Sequence, residues 1–164
     1  AWAATQQALE DAAAALEALR RREGDALRVD LAARADVIEA ELQAVEVRAP
    51  QRVGEHQATL RTRLAELLAD DRLNPDRLET EVAILADKLD VSEECVRLLS
   101  HLAGFRAALA SDEAVGRRLN FLAQEFNREI NTIASKANDA EMAARAVTMK
   151  EELEKIREQV QNVV

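Results

Sequence analysis

The 164-residue sequence is poor in the residues that interrupt helices and in those that favour strands. It has four glycines, two prolines and four aromatic residues, none of them tyrosine. Alanine, leucine, glutamate and arginine dominate instead, a balance typical of proteins built from long helices. Strand-forming residues never alternate over a window long enough to indicate a strand. The sequence therefore predicts an all-α fold, with a long helical hairpin followed by a bundle of shorter helices.

Cysteine, long apolar runs and a leader pattern are also scarce or missing. The single Cys95 allows no internal disulfide, so nothing in the sequence requires an oxidising compartment. No run of about eighteen apolar residues indicates a membrane-spanning helix. The first six residues lack the basic-then-apolar order of a signal peptide. A cytoplasmic location is the expectation.

The formal net charge is −9, which argues against the nonspecific binding of nucleic acid that a basic surface provides. The charge is uneven, because residues 112–164 carry ten acids and eight bases whereas residues 1–48 carry ten acids and six bases. A metal-dependent nuclease also needs carboxylates at its metal site. The overall acidity therefore weighs against an RNA function but is compatible with one.

A proline near the middle of the first half divides the predicted helices. Residues from about 5 to 48 are predicted to form one very long helix or two nearly collinear ones, with apolar positions that step by four and three, as in a coiled coil. Because proline disfavours the helical conformation of the residue before it, Pro50 is expected to end this helix. A second helix over about 51–69 then returns along the first as an antiparallel hairpin. We therefore predict a hairpin arm over 1–75 and a C-terminal helical domain over 76–164.

The remaining helices are marked by their start signals. Asn74 and Pro75 suit the cap and first turn of a third helix, and Ser92 suits the cap of a fourth. A fifth helix follows, and Asn138 or Asp139 can cap the last one. The last helix carries an unbroken four-three apolar alternation, which indicates a helix-helix seam. Its members are Met142, Ala146, Met149, Leu153, Ile156, Val160 and Val163.

Two helix faces carry more polar chemistry than a solvated surface needs. On the fourth helix Glu94, Arg97 and His101 share one side at spacings of three and four. On the fifth helix Glu125 and Glu129 lie one turn apart, beside basic, hydroxyl and amide groups. Those groups belong to Asn127, Arg128, Asn131, Thr132 and Lys136. The pattern fits either a substrate or metal site or a salt-bridge network, and in both cases we expect the two helices to be neighbours.

The fifth helix also carries a family resemblance. It rests on the run Gly116-Arg-Arg-Leu-Asn-Phe-Leu-x-Gln-Glu-Phe-Asn-Arg-Glu-x-Asn-Thr-x-x-Ser-Lys136, on Asn138-Asp139, and on the ending Ile156-Arg-Glu-Gln-Val-Gln-Asn162. It extends upstream to Ser92-Glu-Glu94, Arg97 and Ser100-His101-Leu102. These residues resemble the C-terminal domain of the bacterial YicC/YloC family, whose members carry an α+β domain before this region.

The resemblance implies a metal-dependent endoribonuclease that assembles into ring-like oligomers around RNA and is linked to stress and stationary-phase physiology. It implies catalytic roles for His101, Glu125 and Glu129. The implied ligands of a divalent ion, Mn or Mg, are Glu94, Glu125 and Glu129. The implied RNA contacts are Arg97, Arg117, Arg128, Asn131 and Lys136. The expected partners are RNA and further copies of the chain, and no membrane.

Two functions without catalysis also fit the residues. One is a helical oligomerisation or RNA-clamping module, and the other is a coiled-coil adaptor, which the sequence outside residues 92–140 fits equally well. No local signature such as HExxH or a phosphate-binding loop is present, so catalysis is inferred from the resemblance and the polar faces. Self-association is expected in either case, because the first and last helices present long apolar seams. Cys95 has no basic partner at a catalytic spacing and is expected to be structural.

Overall fold

The computed structural model describes residues 2–67, 75–111, 113–161 and 163, and five α-helices run through them. Their bounds are α1 (Trp2–Leu67), α2 (Pro75–Leu89), α3 (Ser92–Leu109), α4 (Gly116–Ala137) and α5 (Ala140–Val160). No strand occurs in this described part of the chain. The all-α class predicted from composition is confirmed.

Helix α1 continues through Pro50, which corrects the break predicted at that position. An interior proline removes one backbone hydrogen bond and costs about 3 kcal/mol. Side chains on both sides of Pro50 make hydrogen bonds that compensate for this cost. Both terminal nitrogens of Arg48 donate to the Glu55 carboxylate at 2.8 Å, and Arg52 donates to the backbone carbonyl of Lys136 at 3.0 Å. The predicted second helix is therefore the C-terminal part of α1, and the chain returns only with α2, which packs against α1.

The apolar stripe of α1 finds its partners within the same molecule. Five of its residues are fully buried, namely Leu31, Ala35, Ile38, Leu42 and Val45. They pack against the predicted seam of α5 and join α3 and α4 in one apolar core. Phe105 of α3 and Phe126 of α4 meet in this core with their ring centroids 5.4 Å apart. The stripe thus belongs to the core of the C-terminal helices, while the division of the chain at 75–76 stays a prediction.

The beginning of α1 is an exposed arm. Every residue from 2 to 26 is exposed, and these 25 residues rise about 37 Å along the helix axis. The arm carries large apolar side chains in solvent, since Trp2 is 79% and Leu9 71% exposed. The four-three stripe is covered only from Leu27 onward. Charged residues are spread along all the described helices, and none of these helices could span a bilayer.

Short junctions position α3, α4 and α5. The Asp90 carboxylate accepts hydrogen bonds from the backbone amide of Ser92 at 2.9 Å and from its hydroxyl at 2.6 Å. Ser92 is the first residue of α3 and makes no capping bond itself, which corrects its predicted role. Helix α4 is terminated by the next residue, Asn138, whose φ of 36° lies in the left-handed region that asparagine tolerates. Asp139, one of the two predicted caps, then caps α5 by accepting from the amide of Met142 at 2.9 Å.

The first residue of α2 is Pro75, as the sequence predicts. Asn74, the predicted cap of that helix, lies outside the described residues.

Candidate active site

An imidazole and two carboxylates converge between α3 and α4. His101 on α3 and Glu125 and Glu129 on α4 each offer a ligand atom, and these atoms all lie within 4.8 Å of one another. The packing of Phe105 against Phe126 holds the two helices together beside this group. The side chains of His101 and Glu125 are about a quarter exposed, whereas that of Glu129 is buried. The group therefore has a buried floor and an edge open to solvent, and the predicted neighbourhood of the two helices is confirmed.

One arginine, Arg97, forms an ion pair with Glu129, the buried member of the group. Arg97 Nε donates to Glu129 Oε2 at 3.0 Å, and its terminal nitrogens donate to Glu94 and to the exposed Glu93 at 3.1 Å each. The hydrogen bond that Arg97 donates to Glu129 raises the pKa of the Arg97 guanidinium. One guanidinium thus links three carboxylates and fixes the orientation of Glu129.

Glu94 lies behind that arginine and has a second cationic partner. It is 5% exposed, and its Oε1 accepts from Lys136 Nζ at 3.1 Å. Burial by itself would raise the pKa of Glu94, but hydrogen bonds from its own backbone amide and from Lys136 lower it below the usual value. Lys136 also donates to the backbone carbonyl of Asp90 at 2.9 Å. The ammonium therefore ties the end of α4 to the beginning of α3.

The predicted site residues thus fall into three sets, namely the converging group, the residues ion-paired behind it, and the exposed residues. The predicted catalytic residues His101, Glu125 and Glu129 form the converging group itself. Glu94 is joined to that group through Arg97 and is not one of its three members, so its role as a metal ligand stays a prediction. Among the predicted RNA contacts, two cations are already bound to carboxylates, namely Arg97 and Lys136. The other three, Arg117, Arg128 and Asn131, are exposed.

The exposed set begins at the edge of the converging group. Arg128 Nη1 lies 3.8 Å from Glu125 Oε2, and the Arg128 side chain is 75% exposed. Asn131 donates its side-chain amide to Asn127 Oδ1 at 3.2 Å, one turn away on the same helix. A polyanion that reaches Glu125 would therefore meet Arg128 on the way.

The donor set matches a divalent ion. Carboxylate oxygens are preferred by Mg²⁺ and Mn²⁺, and an imidazole nitrogen is a common ligand of transition metals. Ligand atoms that bind one ion at about 2.0–2.2 Å lie at most about 4.4 Å apart. The distance from His101 Nε2 to Glu125 Oε2 is 3.9 Å, within that limit. The three ligand atoms together lie within 4.8 Å of one another, slightly above that limit.

One buried residue beside the site carried no signal in the sequence. Arg52 is 5% exposed and donates from Nη1 to the backbone carbonyl of Lys136 at 3.0 Å. Burial lowers the pKa of its guanidinium. Its charge lies at the C-terminal end of α4, where it complements the helix dipole and holds the turn that presents Lys136. Because Arg52 lies two residues after a proline in a polar stretch, the sequence alone indicates an ordinary surface position.

Cys95 is buried and unpaired. Burial, with Glu46 and Glu94 nearby, raises the pKa of its thiol to about 12. A thiol with so high a pKa remains protonated at neutral pH and is a poor nucleophile, which agrees with a structural role.

Comparisons with known proteins give one family model and two relatives that match this chain. The family model described as "Endoribonuclease YicC-like, C-terminal" matches residues 45–164. The "Probable endoribonuclease YicC" of Clostridioides difficile (strain 630) is 40% identical over 163 residues, which cover 99% of this chain and 56% of that protein. A protein of the same name from Haemophilus influenzae (strain ATCC 51907 / DSM 11121 / KW20 / Rd) is 40% identical over 151 residues, which cover 89% of this chain and 50% of that protein.

The chain spans about half the length of the curated relatives it matches. The resemblance drawn from the polar run of the fifth predicted helix is confirmed over nearly all of the sequence. By the family model and by both relatives, the chain belongs to the family of YicC-like endoribonucleases and corresponds to their C-terminal part.

Proposed function

We propose that the chain is the C-terminal part of a metal-dependent endoribonuclease whose reaction centre is the group of His101, Glu125 and Glu129. The observation that carries the proposal is the convergence of one imidazole nitrogen and two carboxylates within 4.8 Å, from two different helices. The names of the two relatives support RNA as the substrate. The acidity of the whole chain is not an obstacle, because Arg97 and Arg128 lie beside the carboxylates of the group.

In this proposal Glu125 and Glu129 hold a divalent ion, Mn²⁺ or Mg²⁺. When bound, such an ion activates a water molecule and offsets the charge of the scissile phosphate. His101, at the open edge of the group, exchanges a proton with the substrate through its ring nitrogen. Arg97 orients Glu129 by its hydrogen bond at 3.0 Å, as partners of metal ligands commonly do.

The exposed cations are assigned to RNA and the bound ones to positioning. Arg117 and Arg128 face solvent and bind phosphate oxygens, while Asn131 offers an amide to the same strand. Arg97 and Lys136 would have to give up carboxylate partners to bind phosphate, so their predicted RNA contacts compete with the ion pairs of the fold. We therefore assign these two residues first to the placement of Glu129 and Glu94.

A helical oligomerisation or RNA-clamping module is the second candidate. The observation in its favour is the exposed arm over residues 2–26, whose apolar side chains have no partner among the described residues of the bundle. The apolar seams of α1 and α5, which were also expected to support self-association, pack on each other within the molecule. A homo-oligomer, if formed, would therefore use the arm.

The proposal is tested by substituting one ligand and measuring metal binding and cleavage together. We expect Glu125→Gln to weaken Mn²⁺ binding, measured by calorimetry, by roughly tenfold or more. It should also abolish cleavage of labelled RNA by the protein extended to the length of its relatives, as EDTA does for the wild type. The fold should survive, because the amide keeps the shape of the side chain.

Glu154→Gln is the matched control, since Glu154 is an exposed carboxylate on α5 paired with Arg157 at 2.7 Å. It should change neither Mn²⁺ affinity nor cleavage. A Glu125→Gln protein that binds Mn²⁺ as tightly as the wild type and cuts RNA at the same rate would contradict the assignment. A variant that melts early but retains its cleavage rate per folded molecule would instead show a structural role.

A further inference from the structure

One side of α4 points away from the core and carries no carboxylate. Eight of its residues are exposed, and we call them the α4 outer face. They are Arg117, Arg118, Asn120, Phe121, Gln124, Arg128, Asn131 and Ser135. The face combines three guanidinium groups, one aromatic ring, three amides and a hydroxyl. These are the groups that bind phosphates, stack on bases and bond to base edges in nucleic-acid complexes.

The face is a positive surface on an acidic molecule. Helix α4 has four basic and two acidic residues, a net charge of 4 − 2 = +2, in a chain whose net charge is −9. None of the other four helices has a positive net charge, since α1 carries nine basic and twelve acidic residues and α5 four and five. Both acids of α4, Glu125 and Glu129, belong to the converging group and not to the outer face. By net charge, a polyanion is therefore attracted to α4 and to none of the other four described helices.

Phe121 is the unusual residue of the face. The other two phenylalanines of the chain, Phe105 and Phe126, are fully buried, whereas Phe121 is 57% exposed. It lies one helical turn after Arg117, so a guanidinium and an aromatic ring stand next to each other on the helix surface. An exposed ring beside arginines is the usual platform for an unpaired base whose phosphates bind to those arginines.

The face leads to the converging group. Phe121 lies one turn before Glu125, with their Cβ atoms about 5–6 Å apart by helix geometry. At the other side of Glu125, Arg128 Nη1 is 3.8 Å from Glu125 Oε2. The distance from Arg117 to Arg128 along the axis is roughly 16 Å, enough for a few nucleotides. A strand laid along the face would thus pass a phosphate close to His101 and Glu125.

We propose that the α4 outer face binds single-stranded RNA, with Phe121 stacking on an unpaired base and Arg117, Arg118 and Arg128 holding phosphates next to the bond to be cut. This inference rests on the proposed function for the position of the cut, and on the face itself for the binding. A duplex hides the faces of its bases, so the stacking platform selects unpaired RNA.

Binding is tested without cleavage, in EDTA, by fluorescence anisotropy of a labelled ten-nucleotide oligouridylate with the complete chain. Phe121→Ala should weaken binding about tenfold, the size of one lost base stack, and Phe121→Trp should restore it. Val147→Ala is the matched control, because Val147 is an exposed apolar residue of α5. A duplex of the same length should bind more weakly and should not respond to Phe121→Ala.

The arginines give a second, electrostatic readout. Arg117→Gln and Arg128→Gln should each weaken binding and reduce the dependence of log Kd on log salt concentration by about 0.7, the single-strand value for one phosphate contact. Arg157→Gln, an exposed arginine of α5 paired with Glu154, should leave both quantities unchanged.

A spectroscopic signature reports stacking directly. The chain has one tryptophan, Trp2 in the arm, so a Trp2→Phe background carrying Phe121→Trp has its only indole on the α4 outer face. Oligouridylate should quench the fluorescence of that indole. Val147→Trp in the same background should not be quenched.

The outcomes separate this inference from the proposed function. Unchanged oligouridylate affinity in Phe121→Ala, with no quenching of the indole, would overturn the stacking assignment. Loss of mass by light scattering in Phe121→Ala, with RNA affinity unchanged, would make the face an interface between copies and would also overturn it. If RNA binding depends on Phe121 but Glu125→Gln affects neither Mn²⁺ binding nor cleavage, the RNA face stands and the proposed metal centre fails.

Discussion

At the residue scale, the carboxylates of the site differ in how completely their charge is matched. Glu129 has Arg97 at 3.0 Å, and Glu94 has both Arg97 and Lys136 at 3.1 Å. The nearest basic nitrogens to Glu125 belong to Arg128 and His101 and lie at 3.8 and 3.9 Å, beyond hydrogen-bond length. Glu125 therefore has the most to gain from a bound ion, and the other two have structural partners already.

The buried Glu94 should give the fold a dependence on acid pH. Its pKa is lowered in the folded protein, so its contribution to stability is complete above the ordinary value of 4.5 and is lost as pH falls through the folded pKa. Glu94→Gln leaves Lys136 and Arg97 without this charge and should lower the free energy of unfolding at pH 7 by about 2 kcal/mol. The difference from the wild type should shrink below pH 4.5. Urea unfolding at a series of pH values measures both.

Glu93→Gln provides the control for that series. Glu93 also accepts from Arg97, but its side chain is 85% exposed, so its removal should change stability little at any pH. A Glu94→Gln deficit that stayed constant down to pH 3 would show that shape, and not charge, makes the difference.

At the element scale, α1 shows how tertiary contacts override a local signal. Pro50 lacks the amide that a helix interior needs, yet the helix runs for 66 residues through it. Arg48, which precedes the proline, donates a hydrogen bond to Glu55, which follows it, and also donates to the Asp139 carboxylate at 2.8 Å. Arg52 is buried against the end of α4 on the other side. Contacts with α4 and α5 thus hold both flanks of the proline in helical geometry.

Replacing that proline should therefore stabilise the protein. Pro50→Ala restores the missing backbone hydrogen bond and removes the clash of the ring, which should raise the free energy of unfolding by about 1–3 kcal/mol. Urea unfolding followed by circular dichroism measures the change. Pro75→Ala is the control, because Pro75 is the first residue of α2, where proline is tolerated. Equal stability of Pro50→Ala and the wild type would show that Pro50 imposes no strain on α1.

At the scale of the whole molecule, the apolar side chains of α1 are buried in one region and exposed in another. The apolar seam of α1, from Leu31 to Val45, packs against that of α5, from Met142 to Val160. The arm over residues 2–26 has no such cover, although Leu9 and Leu16 repeat at seven residues on one side of it. A helix stripe of this kind is stabilised when a second helix packs on it.

We expect that stripe to support self-association. Leu9→Glu combined with Leu16→Glu places two charges in the contact and should lower the mass measured by light scattering, while the thermal melt of the bundle stays the same. Val29→Glu combined with Val47→Glu is the control, since both valines are 67% exposed but lie outside the arm. A wild-type chain that remains a monomer at every concentration would refute the expectation for this chain.

The sequence by itself determined the helical class, the stripes of the core and the faces on which the polar side chains cluster. Each of these is a local periodicity, because apolar residues three and four apart must lie on one side of a helix wherever that helix goes. The stripe from Leu31 to Val45, the α5 seam and the shared side of Glu125 and Glu129 all follow from this rule. The Asp139 cap is equally local, since its bond to Met142 spans three residues.

Only the tertiary structure decided which faces meet and which charges pair. Arg97 and Glu129 are 32 residues apart, and Arg52 and Lys136 are 84 apart, so no spacing in the sequence relates them. The same contacts decided that α1 continues through Pro50, because a local cost of about 3 kcal/mol is offset by bonds to helices much later in the chain. The periodicity of the sequence determines which side chains share a helix face, whereas packing in three dimensions determines which faces contact each other.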